Sequence, residues 1–144
     1  MPSLVLLMIW EKEHEKYWRN LVMLSKLIGA QIVSIDSFGM KVKLNDKEYF
    51  LEFHEDDGDC CGFASIIGEL KYKKEDGNNP VITNIEYENV GSCGEDVLLI
   101  TFYGESKVIA DLEGSCGSGS GYGYGAVASV VCKELDIDEI LASW

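Results

Sequence analysis

Residues 38–54 read F-G-M-K-V-K-L-N-D-K-E-Y-F-L-E-F-H, and this stretch decides the fold that the sequence predicts. Apolar and polar side chains alternate on both sides of Asn45–Asp46, which is the pattern of strands with one buried face. Asn45–Asp46 itself suits the two-residue turn of a β-hairpin. A similar strand pattern covers Gln31–Asp36, so the segment from Gln31 to His54 predicts an antiparallel meander.

The composition is that of an acidic chain of single-domain size. Its 144 residues include 25 Asp and Glu against 12 Lys and Arg, which gives a formal net charge of −13 at pH 7. Nucleic acid and anionic membranes would repel such a chain, so direct binding to either is disfavoured. The charge suits a solvated cytoplasmic protein, a binder of basic surfaces or a mimic of nucleic acid. Arg19 is the one arginine, so a phosphate pocket would depend on lysine or on backbone N–H groups.

Helices are predicted at both ends of the chain. Apolar residues recur at helical spacing from Trp10 to Ile28, and Gly29 suits the left-handed position that follows a helix. Asp136–Trp144 predicts a short closing helix with Asp136 or Asp138 as its N-cap. The predicted fold is a single α+β domain with a mainly antiparallel sheet packed on the first helix. Its three parts are a helical segment (1–29), a β-rich body (30–135) and a C-terminal helix (136–144).

The predicted body contains further strands and one glycine-rich stretch. Strands are predicted at Cys60–Leu70, Val81–Val90, Asp96–Tyr103, Lys107–Leu112 and Ala126–Cys132. Glu113–Gly125 reads E-G-S-C-G-S-G-S-G-Y-G-Y-G, which predicts a flexible hairpin loop. If the loop is functional, it recognises a partner, with Tyr122 and Tyr124 as aromatic anchors.

Unusual side chains are concentrated directly after the hairpin. Tyr49–Gly62 reads Y-F-L-E-F-H-E-D-D-G-D-C-C-G, which predicts the end of a strand, an acidic turn and two adjacent cysteines. Asp56, Asp57 and Asp59 in this turn are candidate residues for binding a basic partner. The simplest interpretation is a solvated acidic turn beside buried thiols.

Metal binding and thiol chemistry are the alternatives at this turn. His54, Cys60 and Cys61 are candidate zinc ligands, with Cys93, Cys116 or Asp59 as the fourth. Adjacent cysteines in a strand point to opposite faces, so we expect no cofactor and keep zinc as the alternative.

Two further chemistries are open at the same turn. A calcium site at the acids from Glu55 to Asp59 lacks the twelve-residue loop pattern. A nucleophilic cysteine with His54 as its base would have its thiol pKa raised by the surrounding carboxylates.

Three features, in this order, resemble a family of small uncharacterised domains encoded by phages and bacteria. The first is L-I-G-A-Q-I-V-S-I at Leu27–Ile35, and the second is His54 followed by acids and a cysteine pair, where the family has H-D-Q-D-C-C-E. The third combines Tyr103–Ser106 (Y-G-E-S) with Ser120–Tyr124 (S-G-Y-G-Y). Two residues are inserted between His54 and the cysteines, and Gly62 replaces the last acid. The resemblance spans about residues 26–134 and implies a mobile-element origin and a β-rich single domain, without an activity.

Three functional hypotheses follow from these observations. The leading one is a non-enzymatic phage or prophage protein that blocks a host or defence protein in the host cytoplasm with an acidic, Tyr/Gly-rich surface. The second is a small metal- or thiol-dependent enzyme, or a nucleotide-binding protein, centred on His54, Cys60 and Cys61. The third is a phage structural accessory protein. Leu4–Trp10 lacks the features of a signal peptide, and it suits either internal packing or an interface of a homo-oligomer.

Overall fold

The computed structural model describes residues 23–58, 61–72, 79–91, 94–118 and 125–144. In this part of the chain 66% of the residues are in strands, and no helix reaches seven residues. The α+β prediction is therefore wrong, because the described chain is a two-layer sandwich of antiparallel β-sheets. No helix among these residues is long and apolar enough to cross a membrane.

The described residues form nine strands in two sheets. In chain order they are β1 Gln31–Ile35, β2 Gly39–Leu44, β3 Lys47–Asp56, β4 Gly62–Leu70, β5 Asn84–Asn89, β6 Glu95–Tyr103, β7 Val108–Ser118, β8 Val127–Cys132 and β9 Ile137–Ser143. Sheet A has the strand order β1-β2-β3-β8-β9, and sheet B has the order β4-β7-β6-β5. The edge strands are therefore β1 and β9 in sheet A, and β4 and β5 in sheet B.

The predicted meander is present as β1, β2 and β3. Strands β2 and β3 pair from Leu44↔Lys47 to Gly39↔Glu52, and Asn45–Asp46 connects them. Both turn residues have positive φ angles, 53° and 62°, which matches the turn type that fits the twist of a hairpin. The alternating pattern therefore predicted this part of sheet A, including which side chains are buried.

The core consists of the apolar side chains on the facing sides of the two sheets. Strand alternation directs every second residue inward, and those side chains interdigitate between the layers. The buried set includes Ile32, Met40, Val42, Leu51, Val130 and Ile137 from sheet A, and Ile66, Ile85, Leu98, Ile100, Phe102 and Leu112 from sheet B.

The C-terminal segment is a strand, so the predicted helix Asp136–Trp144 is wrong. After a 3₁₀ turn at Lys133–Leu135, Asp136 adopts a left-handed conformation (φ 54°) and the chain returns as β9 against β8. Ile137 and Leu141 are buried and Ile140 is exposed, as expected when β9 lies over sheet B. Packing against sheet B thus overrides a local pattern that is compatible with either structure.

The predicted flexible loop Glu113–Gly125 is wrong in its first half, because β7 continues to Ser118. Two glycines in this half mark close contacts and not mobility. A Cβ on Gly114 would lie 2.6 Å from Leu141 Cβ, and one on Gly117 would lie 2.9 Å from the ring of Phe63. Gly114 therefore leaves the space that the side chain of Leu141 needs between the sheets.

The predicted N-terminal helix lies mostly outside the described residues. The described chain begins with the helical residues Met23 and Leu24, a 3₁₀ turn follows at Ser25–Leu27, and Gly29 has a left-handed φ of 95°. Leu24 and Leu27 are fully buried in the core. This segment therefore contributes apolar contacts to the sandwich.

Candidate functional site

The acidic turn connects sheet A to sheet B, and carboxylates there accept hydrogen bonds from the backbone of an edge strand. Glu55 Oε2 accepts a hydrogen bond of 3.0 Å from the backbone N–H of Ile66, and Asp57 Oδ1 accepts one of 3.0 Å from that of Ala64. Both N–H groups belong to β4, which has no strand neighbour on this side. The two carboxylates therefore occupy positions that a neighbouring strand would otherwise fill, which blocks edge-to-edge pairing.

The structure brings together the two segments that the sequence predicted to bind a partner. Gly62, at the end of the acidic turn, pairs with Ser118, and a Cβ on Gly125 would lie 3.8 Å from Gly58 Cα. The acidic turn and the two flanks of the glycine-rich stretch thus lie at one end of the sandwich.

Only part of this predicted binding set is described. Asp56 and Asp57 are exposed, and Asp56 Oδ1 accepts a hydrogen bond of 2.9 Å from Gly58 N–H within the turn. Tyr122, Tyr124 and Asp59 lie outside the described residues, so their binding roles stay predictions.

His54 lies on the outer face of sheet A, away from the core. Its Nε2 is 2.9 Å from Glu52 Oε2, and both side chains are more than half exposed. They line an open groove of about 380 Å³ together with Phe50, Val131 and Lys133. The groove combines an aromatic ring with charged groups, and the hydrogen bond between His54 and Glu52 lies within it.

The predicted zinc ligands are not assembled in the described part of the chain. Those residues contain no group of three or more His, Cys, Asp or Glu side chains that could hold a metal ion. Cys116 faces the interior and is fully buried, whereas His54 faces solvent on the outside of sheet A. Cys61 is half-buried, and Cys60 and Cys93 lie outside the described residues. A zinc site that includes Cys60 therefore stays a prediction.

The outer face of sheet B is strongly acidic. The register places Ile67, Glu113, Leu99 and Glu88 in one row across the four strands, and Glu69, Asp111, Thr101 and Glu86 in the next row. Glu95 lies on the same face, which therefore carries six carboxylates, and Ile67 on its edge strand has an exposed fraction of 64%. We call this surface the acidic face of sheet B.

The four strands of this face contain no lysine or arginine. Lys71 follows β4 and approaches two of the six acids, with Nζ 3.1 Å from Glu69 Oε2 and 3.6 Å from Asp111 Oδ2. These carboxylates raise the pKa of Lys71, with the hydrogen bond to Glu69 as the main cause. Six carboxylates and one ammonium group leave this face with about five negative charges.

Sequence reasoning missed one unusual group, the buried acid Glu139. It lies on the inner side of β9 opposite Val130 and is 1% exposed. Within the described part of the chain neither carboxyl oxygen has a hydrogen-bond partner, and the hydroxyl of Tyr87 on β5 is buried and unpaired as well. Alternation along I-D-E-I-L would have placed Glu139 inside, had the segment been predicted as a strand.

Burial controls the ionisation of both groups. Loss of water raises the pKa of Glu139 to about 8, and the negative charge of Asp138 adds to the effect. Burial also raises the pKa of Tyr87, with a further contribution from the charge of Glu139. Glu139 is therefore a neutral carboxylic acid in the folded protein at pH 7, in contrast to the ionised carboxylates of the acidic face of sheet B.

Comparison of the chain with protein-family models, with curated proteins and with solved structures found no match. Functional inference therefore rests on the residues and their geometry.

Replacing Asp57 by Ala is expected to lower the free energy of unfolding by about 1–2 kcal/mol, because the N–H of Ala64 loses its acceptor. Asp56→Ala is the matched control, since it removes the same charge but only a hydrogen bond within the turn. Urea denaturation measures the free energy of unfolding of both variants. Equal losses of this free energy would show that the hydrogen bond of Asp57 does not stabilise the β4 edge.

Replacing Glu139 by Gln is expected to stabilise the protein at alkaline pH and to have little effect in acid. Between the ordinary pKa of 4.5 and the folded value of about 8, the folded chain keeps a proton that the unfolded chain has released. The stability of the wild type therefore falls by up to about 1.4 kcal/mol per pH unit as the pH rises through this window, and it levels off above the window. The amide of the Glu139→Gln variant does not ionise, so the variant lacks this decline.

Denaturant unfolding of both proteins from about pH 4 to about pH 9 measures the difference. Asp138→Asn, which removes the exposed neighbouring charge, is expected to keep most of the decline. A difference in the free energy of unfolding between wild type and Glu139→Gln that is the same at every pH would contradict a neutral buried Glu139.

Proposed function

We propose that this chain is a non-enzymatic acidic binding protein of phage or prophage type. It docks a basic host or defence protein through the acidic face of sheet B and blocks that protein in the host cytoplasm. The observation that carries the proposal is a sheet face with six carboxylates, on which Ile67 is exposed and Leu99 is half-buried. The phage or prophage setting of the proposal rests only on the resemblance described for the sequence.

The acidic face of sheet B has the physical features of a docking surface. Ile67 and Leu99 lie on either side of Glu113 and border a shallow depression of about 220 Å³. Apolar side chains at the centre of a patch supply burial energy, and charged side chains around them determine orientation and partner choice. A partner with an apolar side chain surrounded by lysine or arginine is the complement of this surface.

The outer face of sheet A is less suited to a basic partner. Lysines alternate with glutamates there, as in the Lys41–Glu48 pair at 4.0 Å and the Lys47–Glu134 pair at 3.2 Å. These charges already compensate one another, so this face attracts neither sign strongly. The difference in charge between the two outer faces therefore supports sheet B as the docking surface.

Electrostatic attraction accounts for how such a protein finds its partner. A net charge of −13 on a chain of this size accelerates association with a basic surface, and salt screens the effect over about 8 Å at physiological ionic strength. The affinity for the partner is therefore expected to fall as the salt concentration rises. The carboxylates serve recognition in this account, and no catalytic step is required of them.

The test is affinity capture from a bacterial lysate, followed by measurement of Kd with the purified partner and matched variants. Glu113→Lys and Ile67→Ser are each expected to weaken binding by about tenfold or more. Glu48→Lys makes the same charge change at an exposed glutamate on the outer face of sheet A, and it is expected to leave Kd nearly unchanged.

Three results would contradict the proposal. The first is a partner without a basic surface, and the second is a loss of binding in Glu48→Lys but not in Glu113→Lys. The third is a chain that retains no protein at all.

A further inference from the structure

Glu139 lies on one edge strand of the sandwich, and Tyr87 lies on another. Strand β9 is the last strand of sheet A, and β5, which carries Tyr87, is the last strand of sheet B. Among the described strands, each has a neighbour on one side only, so its separation from the core breaks a ladder on that side alone. Glu139 is thus a buried acid, without a hydrogen-bond partner among the described residues, on a strand whose separation is enough to bring it into contact with water.

Strand β9 contacts β8 in its own sheet and β7 and β6 in sheet B. Its ladder runs along β8, and Trp144 N–H donates to the carbonyl oxygen of Ala126 at 2.9 Å. Leu141 packs against Gly114 of β7, and Ser143 N–H donates to Asp96 Oδ2 of β6 at 3.0 Å. The contacts of β9 with sheet B therefore depend on apolar burial and on one carboxylate that accepts a backbone hydrogen bond.

Among the described residues, the surroundings of Glu139 offer no compensation for a negative charge. The inward-facing titratable groups on the strands that pack around it are Tyr87 of β5, Asp96 of β6, Cys116 of β7 and Cys132 of β8. Asp138 is the adjacent residue on β9 itself. None of these groups is a cation, and the described strands direct no lysine, arginine or histidine into this part of the interior.

We propose that Glu139 is a proton-dependent switch: while its carboxyl group is protonated, β9 packs on sheet B, and loss of the proton to solvent releases β9 and opens the interior between β9 and β5. The driving force is the hydration of the carboxylate, which the closed sandwich cannot provide. Release exposes the inner sides of β9 and β8, where Ile137 and Cys132 are paired and buried.

The switch has a defined pH range. The closed form holds the proton up to a pKa of about 8, and the open form up to the ordinary value of 4.5. The opening equilibrium constant is therefore expected to rise by about tenfold per pH unit between these values and to reach a plateau above about pH 8. This inference does not depend on the proposed partner, because it concerns the free chain.

Hydrogen exchange followed by mass spectrometry tests the switch in the full-length protein. The amides of Ile137–Ser143 are compared with those of β6 in wild type and in Glu139→Gln at each pH, which cancels the intrinsic pH dependence of exchange. In wild type the exchange of β9 relative to β6 is expected to rise by about tenfold per pH unit from about pH 5 and to level off near pH 8. In Glu139→Gln this ratio is expected to stay constant.

Cys132 provides a second, local readout. It is buried and pairs with Ile137 of β9. Labelling of Cys132 by a soluble thiol reagent, measured as the ratio of wild type to Glu139→Gln, is expected to rise through the same pH range.

Two outcomes would overturn the proposal. Equal exchange and labelling in the two proteins at every pH would show that Glu139 does not control β9. Parallel increases in the exchange of β9 and β6 would show that ionisation unfolds the whole domain. In wild type alone, a ratio of β9 to β6 exchange that stays constant with pH would also overturn the proposal. The test therefore does not depend on the folding of the variant.

Discussion

The packing of Leu141 against Gly114 is the contact on which the architecture depends most directly. It brings the last strand of sheet A over the centre of sheet B, where a side chain on β7 would leave no space. Once β9 is fixed there, strand alternation determines the rest of the C-terminal segment: Ile137 and Glu139 point inward, and Asp138 and Ile140 point to solvent. The same contact therefore completes the core and buries an acid within it.

Carboxylates have three different physical roles in this strongly acidic chain. Glu55 and Asp57 accept hydrogen bonds from the backbone of an edge strand and so replace a missing neighbour. The carboxylates on the acidic face of sheet B remain in water, where they create a field that favours a basic partner. Glu139 is removed from water and is neutral at pH 7, so it stabilises the closed sandwich only while it keeps its proton. Environment, and not residue type, determines the role in each case.

The sequence predicted the parts of the fold that depend on local alternation. The hairpin around Asn45–Asp46 and the strand at Asp96–Tyr103 both form, because their side-chain patterns and turn chemistry agree with their tertiary surroundings. The closing strand was missed since its apolar residues fit a helix as well as a strand, and only the packing on Gly114 decides between them. The glycines of β7 were misread for a related reason: a glycine that makes room for a distant side chain has the same local signal as one in a loop.

The candidate sites likewise include features that the sequence predicted and features that only the tertiary fold brings about. Composition predicted an acidic surface, but its concentration on sheet B follows from the sheet order β4-β7-β6-β5, in which β4 pairs with β7 and not with the next strand in the chain. The metal hypothesis at His54 arose from sequence proximity, whereas the fold turns His54 outward and Cys116 inward. Glu139 and Tyr87 are 52 residues apart, and no local pattern relates them.

The most direct test of this account is a titration of the Glu139 carboxyl group by carbon-13 NMR, with the resonance assigned from its absence in Glu139→Gln. The account predicts a midpoint well above the ordinary value of 4.5 and not above about pH 8, because β9 buries the group against sheet B without a hydrogen-bond partner among the described residues. A midpoint at the ordinary value of 4.5 would show that Glu139 is hydrated or paired, and it would contradict both the packing of β9 and the switch.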